Sequence, residues 1–109
     1  MLKVEEFEKI DMRVGTIVEA KINKRARKPA YKLTIDFGPE IGFKTSSAQI
    51  TDLYNTEDLI NKQVIAVINF EPIRIGDVKS EVRILGADTK EGCVILNTEK
   101  EVVNGSKIF

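Results

Sequence analysis

The sequence predicts a single all-β domain, a small closed barrel of five strands with one short helix between strands three and four. Two observations lead to this prediction. Short segments with alternating or continuous apolar residues recur along the chain, and glycine, proline and asparagine residues separate most of them. The chain has 109 residues, which is enough for one domain with one modest core.

The first two strands follow from a period of two. After a short helical turn at Val4–Lys9, the segment 13–22 alternates between two faces. One face is predicted to carry Val14, Thr16, Val18, Ala20 and Ile22. A second alternating strand starts at Tyr31 and runs to Phe37, which is predicted to lie in the core.

The later elements surround an apolar run. Val64–Ile68 is wholly apolar and mostly β-branched, which is typical of a strand buried on both faces. A third strand is predicted from Phe43 to about Ala48, and one or two helical turns at Asp52–Asn61, with Asn55 or Thr56 as the cap. The remaining predictions are a loop at Glu71–Glu81, a strand at Val82–Leu85, a turn at Ala87–Gly92 and a strand at Cys93–Leu96. This order is that of an OB-fold, a five-stranded Greek-key barrel, here with terminal extensions.

Composition excludes several kinds of chemistry. The chain has no histidine, so histidine-based catalysis and histidine-containing metal sites are excluded. Cys93 is the single cysteine, and its apolar strand predicts a buried small side chain. No phosphate-cradling glycine loop and no metal-ligand spacing occurs. We therefore expect no catalytic residues, no metal and no cofactor.

The sequence contains no window approaching the roughly 18 apolar residues of a membrane span. Its first residues carry charges and no apolar signal core. These features predict a cytoplasmic protein without membrane insertion.

A basic loop follows the first strand. Between Lys21 and Lys32 there are six basic residues and no acidic one. Because the formal net charge of the chain is zero, any affinity for nucleic acid has to come from this local cluster. The loop is interpreted either as a solvated surface loop or as a phosphate-binding rim.

The predicted loop at Glu71–Glu81 is unusually apolar. Phe70, Ile73, Ile75 and Val78 lie in or beside it. They either plug one end of the barrel or join a subunit contact, or they form an exposed apolar groove that suits a polypeptide better than a phosphate backbone.

Taken together, these segments resemble the tRNA-binding-domain family of OB-folds. The residues that carry the resemblance are Asp11-Met12-Arg13-Val14-Gly15, Asp36-Phe37-Gly38, Leu53-Tyr54, Asn69 with Pro72, and Ser80-Glu81. Within this family the chain is most similar to an export-related chaperone group, through Ala26–Leu33, Ser46–Thr51 and Asn69–Val82. The tRNA-binding members of the family typically have a lysine where this chain has Glu71.

The resemblance implies a protein that binds unfolded or presecretory polypeptides. The residues that we predict to bind peptide are Arg13, Lys32, Lys44, Ser46, Gln49, Asn69, Phe70, Arg74, Ser80 and Glu81. The alternative is a tRNA-binding protein that uses Lys24, Arg25, Arg27, Lys28, Lys32 and Lys79. The resemblance also implies a homodimer, and the apolar terminal segments Val4–Ile10 and Val102–Phe109 are the predicted contact.

Overall fold

The computed structural model describes residues 1–109 and consists mainly of short β-strands. Ten strands and two helices follow one another along the chain. They are α1 (Val4–Glu8), β1 (Met12–Ile22), β2 (Tyr31–Asp36), β3 (Phe43–Ala48), α2 (Thr56–Leu59), β4 (Gln63–Val67), β5 (Ile73–Ile75), β6 (Val78–Ser80), β7 (Arg83–Ile84), β8 (Gly86–Thr89), β9 (Gly92–Ile95) and β10 (Lys107–Ile108).

Five strands form the barrel, and they are hydrogen-bonded in the order β3-β2-β1-β4-β7. The strand β1 lies at the centre of this order, because it pairs antiparallel with both β2 and β4. The short β10 adds to β1, with Met12 opposite Ile108. The predicted all-β barrel with a helix between its third and fourth strands is confirmed, and the third strand covers Phe43–Ala48 as expected.

The barrel interior is filled by apolar side chains from these strands. Ile17, Leu33, Ile35 and Phe37 are each at most 1% exposed. Gly15 allows this packing, because a Cβ atom at that position would lie 2.6 Å from Ile35 Cγ2. The predicted core position of Phe37 is confirmed.

The predicted division of β1 into two continuous faces is wrong. A bulge between Ile17 and Glu19 shifts the register of β1 against β2. Val14 and Ile17 are therefore both fully buried, whereas Val18 is 41% exposed and Ile22 is 66% exposed. An inserted residue disrupts the alternation at that point, so a fixed period of two cannot describe the whole strand.

The apolar run is less completely buried than expected, and the predicted helix is shorter. Val64 and Ala66 are fully buried, but Ile65 and Ile68 are only half-buried, so β4 is not covered completely on both faces. The helix α2 forms a single turn, and the side chain of its N-cap residue, Asn55, makes no capping hydrogen bond.

Two segments predicted as connections instead contain strands of β-hairpins. The predicted loop after Phe70 contains β5 and β6, which pair antiparallel around a two-residue turn, Gly76-Asp77. The predicted turn at Ala87–Gly92 contains most of β8, whereas its partner β9 nearly coincides with the strand predicted at Cys93–Leu96. Both pairs of strands are only three or four residues long, which is too short for a clear alternating pattern.

Ser80 and Glu81 close the barrel against the free edge of β3. The Thr45 amide donates to Glu81 Oε1 at 3.0 Å, and the Ser47 amide donates to Ser80 Oγ at 3.0 Å. The amide of Glu81 in turn donates to the Thr45 carbonyl at 2.8 Å. The closing contact thus depends on two side chains as well as on the backbone.

This closure predicts a large effect of one carboxylate on stability. Replacing Glu81 by alanine removes the acceptor of the part-buried Thr45 amide. We expect the free energy of unfolding to fall by about 1–3 kcal/mol, because the Thr45 amide would then be without the hydrogen bond that it makes to water in the unfolded chain. Urea denaturation of E81A and of the original chain measures the difference.

The matched control is Lys79→Ala. Lys79 is exposed and contributes its carbonyl, not its side chain, to the contact with Thr45. K79A is expected to unfold close to the original midpoint. An equal loss of stability in K79A and E81A contradicts the proposed closing role of the carboxylate.

Candidate functional site

The principal cavity of the molecule is an open groove of about 910 Å³ at the place where the barrel is not closed. One side is formed by the end of β3 and the residues after it, Ser47–Ile50. The opposite side is formed by Val82–Gly86 together with Asp88. The hairpin β5–β6 and the segment before it contribute Phe70, Ile73 and Ile75.

Exposed apolar side chains line this groove. Phe70 is 55% exposed and Ile73 is 60% exposed, while Ile75 and Ile84 are half-buried. Large apolar side chains in an open concave surface favour burial by an apolar ligand. The interpretation of the apolar segment as an exposed groove is correct for Phe70 and Ile73. It does not hold for Val78, which is buried with 2% exposure.

The charges at the groove are mostly acidic. Glu71, Glu81 and Asp88 line it, and Arg83 is the basic residue among them. Glu81 is already engaged with Thr45. A phosphate backbone in this groove would therefore face exposed carboxylates, which repel it.

The basic loop lies beside the hairpin. Lys24, Arg25, Arg27 and Lys28 are all exposed. Arg25 Nε lies 3.6 Å from a carboxylate oxygen of Asp77, at the turn of the hairpin. A second cavity of about 430 Å³ beside this loop is lined in part by Lys24 and Arg27.

Asn23 joins the basic loop to the hairpin, and sequence reasoning missed it. Its side chain is 5% exposed, and its amide donates to the Ile75 carbonyl at 2.8 Å and to Ser47 Oγ at 3.1 Å. Gly76 in the hairpin turn has a φ of +59°, and a Cβ atom there would lie 2.6 Å from the Ala26 amide nitrogen. Asn23 gave no signal because its partner Ile75 lies 52 residues away along the chain.

Four of the residues predicted to bind peptide line the groove. They are Gln49, Phe70, Ser80 and Glu81. Gln49 and Phe70 are exposed there, whereas the Ser80 and Glu81 side chains already accept hydrogen bonds from β3. Their interaction with peptide stays a prediction.

Two other predicted residues fasten the N-terminal segment and do not line the groove. Arg13 Nε donates to Asp11 Oδ1 at 2.7 Å, and its Nη1 donates to the Gly105 carbonyl at 3.0 Å. Asn69 accepts from the Asp11 amide at 3.1 Å and donates to the Lys9 carbonyl at 2.7 Å. Both side chains make structural contacts between segments that are distant in the sequence.

The remaining predicted residues are dispersed. Ser46 is 1% exposed and opposite Leu33 in the sheet, so its side chain cannot reach a chain bound in the groove. Lys32, Lys44 and Arg74 do not line the groove, and Arg74 Nη1 donates to the Asp77 carbonyl at 3.4 Å.

The residues of the tRNA alternative are only partly together. Four of them share the basic loop, whereas Lys32 lies on β2 and Lys79 is exposed on β6. Sequence reasoning missed most of the groove wall. Asp88 was predicted to lie in a turn, and Cys93, which was predicted to be buried, is half-buried and lines the groove together with Ile84.

No group of three or more cysteine, aspartate or glutamate side chains is placed to hold a metal ion. None of the helices has the length and apolar character needed to span a membrane.

Comparison with solved structures identifies close structural similarity over the whole chain. The CsaA chaperone protein from Picrophilus torridus is 50% identical, with a TM-score of 0.95 and complete coverage of both chains. The chaperone CsaA from Bacillus anthracis is 48% identical, with a TM-score of 0.92 over 100% of this chain and 99% of that one. These similarities agree with the predicted OB-fold.

Comparison with curated proteins finds a related segment in larger enzymes. The methionine–tRNA ligase from Pyrococcus horikoshii is 39% identical over 107 residues, which are 98% of this chain but only 14% of the ligase. A family model described as a putative tRNA binding domain matches residues 12–107. The chain therefore belongs to the tRNA-binding-domain family.

Proposed function

We propose that this protein is a chaperone that holds unfolded polypeptide in the groove between β3 and the strand segment 82–88, without catalysis. The exposed apolar side chains of Phe70 and Ile73 are the observation that carries this proposal. Burying apolar surface is favourable without requiring a particular client sequence. The likeness to CsaA chaperones at 48–50% identity supports the same function.

The cellular role that we propose is cytoplasmic and related to protein export, with presecretory chains among the clients. A chain that awaits export has to stay unfolded, and its apolar segments are then open to solvent. A small protein that covers such segments delays both folding and aggregation. No cofactor is needed for this role.

Binding of tRNA is the second candidate function. The exposed cluster of Lys24, Arg25, Arg27 and Lys28 favours it, and so does the match to a putative tRNA binding domain. The cluster lies outside the lining of the apolar groove, so the two candidate ligands use different residues.

A pair of variants distinguishes the two functions. Phe70→Ala is expected to weaken binding of a permanently unfolded client by about 1–3 kcal/mol. The Phe70 ring is exposed in the free protein and would be buried by the bound client, and the variant loses that burial. The triple variant with Arg25, Arg27 and Lys28 replaced by glutamate is expected to bind this client almost as the original chain does. Fluorescence anisotropy with a labelled client, with unlabelled tRNA as competitor, measures both affinities.

The salt dependence of the two ligands provides the control. Client binding should change little between low and physiological salt, because apolar burial rather than counterion release drives it. Two results together would falsify the chaperone proposal. The first is tight tRNA binding at physiological salt that is lost in the triple variant and unaffected by F70A. The second is that the unfolded client is not retained.

We further propose that the protein is a homodimer held by its terminal segments. The helix α1 has no buried residue, and Val4, Phe7 and Ile10 are 69%, 41% and 40% exposed. Phe109 at the other terminus is fully exposed, and the adjacent β10 pairs with β1 beside Met12. Burial of these apolar side chains against a second copy removes them from water.

Light scattering at micromolar concentration tests the dimer. The intact chain of 12.2 kDa should scatter with about twice that mass, and a variant lacking residues 1–9 should shift toward the monomer. The double variant Lys21→Ala, Lys90→Ala is the control, because both side chains are exposed and charged. A monomeric mass for the intact chain rejects the homodimer.

A further inference from the structure

An unpaired strand edge borders the groove. The segment 83–89 pairs on one side only, with β4 through Arg83 and Ile84 and with β9 through Gly86–Thr89. Both partners lie on the same side, because the Leu85 amide donates to the Ile65 carbonyl and the Leu85 carbonyl accepts from the Leu96 amide. The other side of this segment therefore has no strand partner.

The peptide groups on that free side belong to three alternate residues. In an antiparallel pair the residues alternate between hydrogen-bonded and non-bonded positions. Since Leu85 is hydrogen-bonded on the paired side, the amides and carbonyls of Ile84, Gly86 and Asp88 point away from β4 and β9. No hydrogen bond outside the ladders, from backbone or side chain, reaches any of these three residues.

The same three residues line the groove. Gly86 and Asp88 are exposed and Ile84 is half-buried. On the opposite wall, the Ser47 amide at the end of β3 is already occupied by Ser80. The groove thus combines an apolar surface with a row of free backbone donors and acceptors on its 82–88 side.

We propose that client polypeptide binds by adding a strand to this edge, through the peptide groups of Ile84, Gly86 and Asp88. This inference rests on the proposed chaperone function and specifies the ligand as an extended, β-forming segment. Alternate residues in a strand are about 6.8 Å apart, and the amides and carbonyls of an extended chain repeat at the same spacing. A phosphate backbone supplies acceptors but no donors at such spacing, so it cannot satisfy the three carbonyls.

The mode of binding determines which client side chains enter the groove. An added strand continues the sheet, so every second side chain projects to the face that Ile84 and Asp88 present to the groove. Those side chains meet Phe70 and Ile73, whereas the others face solvent. Clients are therefore segments with apolar residues at alternate positions and without proline, which lacks the amide donor.

Backbone methylation of a probe peptide tests the proposal. The probe is a fluorescein-labelled octapeptide of alternating valine and serine, and its binding to the full chain is measured by anisotropy. One derivative carries N-methyl groups on the valines and the other carries them on the serines, so that each blocks one edge of the strand. We expect one derivative to bind about tenfold or more weakly and the other to bind as the probe does, because only one edge pairs with the protein.

A variant pair tests the protein side. Asp88→Pro removes the outward amide, a place where an edge strand accepts proline, whereas Asp88→Ala keeps the amide and removes the charge. D88P should bind the probe about tenfold more weakly than the original chain, and D88A about equally. If D88P does not fold by circular dichroism, the two methylated peptides decide the question.

Each outcome has a distinct consequence. Equal effects of the two methylation patterns, with the unmodified probe bound, overturn strand addition and leave the groove-binding chaperone in place. No binding of the probe or of an unfolded client overturns both proposals. A change of mass from dimer to monomer in D88P, with no change in probe affinity, assigns the edge to a second copy of this chain and overturns the inference.

Discussion

The hydrogen bonds from the edge of β3 to Ser80 and Glu81 determine where the barrel is closed and where it stays open. At Thr45 the two sides meet, because the chain supplies side-chain acceptors for amides that no strand reaches. Beyond Ser47 no such acceptors follow, and the two sides separate to form the groove. A barrel fully closed by a backbone ladder would have neither the exposed Phe70 surface nor the free edge at Gly86.

The hairpin β5–β6 has a defined place over this opening because its turn is anchored. Asn23 fixes the Ile75 carbonyl, and Gly76 packs directly on the backbone of the basic loop. The hairpin needs these contacts, because an isolated two-stranded hairpin is only marginally stable in water. The buried amide of Asn23 therefore links the hairpin, with its apolar Ile73 and Ile75, to the basic loop.

Sequence reasoning identified most of the barrel and little of the groove. The strands that fill the core could be predicted, because burial forces an alternation that is visible at Leu33 and Ile35. The bulge after Ile17 and the two hairpins could not, since they depend on pairing between short segments. Phe70 was predicted to bind because an aromatic side chain in a predicted loop is unusual, and it does line the groove. The burial of Asn23 and Ser46 could not be predicted, because burial of a polar side chain depends on contacts that are distant in the sequence.

On the proposed functions, the separation of the basic loop from the apolar groove would let one barrel bind either nucleic acid or polypeptide. Phosphate binding depends on exposed cations, and here four of them cluster in the loop after β1. Polypeptide binding depends on apolar area and on backbone donors and acceptors, which lie in the groove with Glu71 and Asp88. Since the two sets of residues barely overlap, we expect a substitution in one set to weaken one interaction without altering the fold. The barrel supplies both surfaces, and we expect the side chains beside its opening to decide which ligand is favoured.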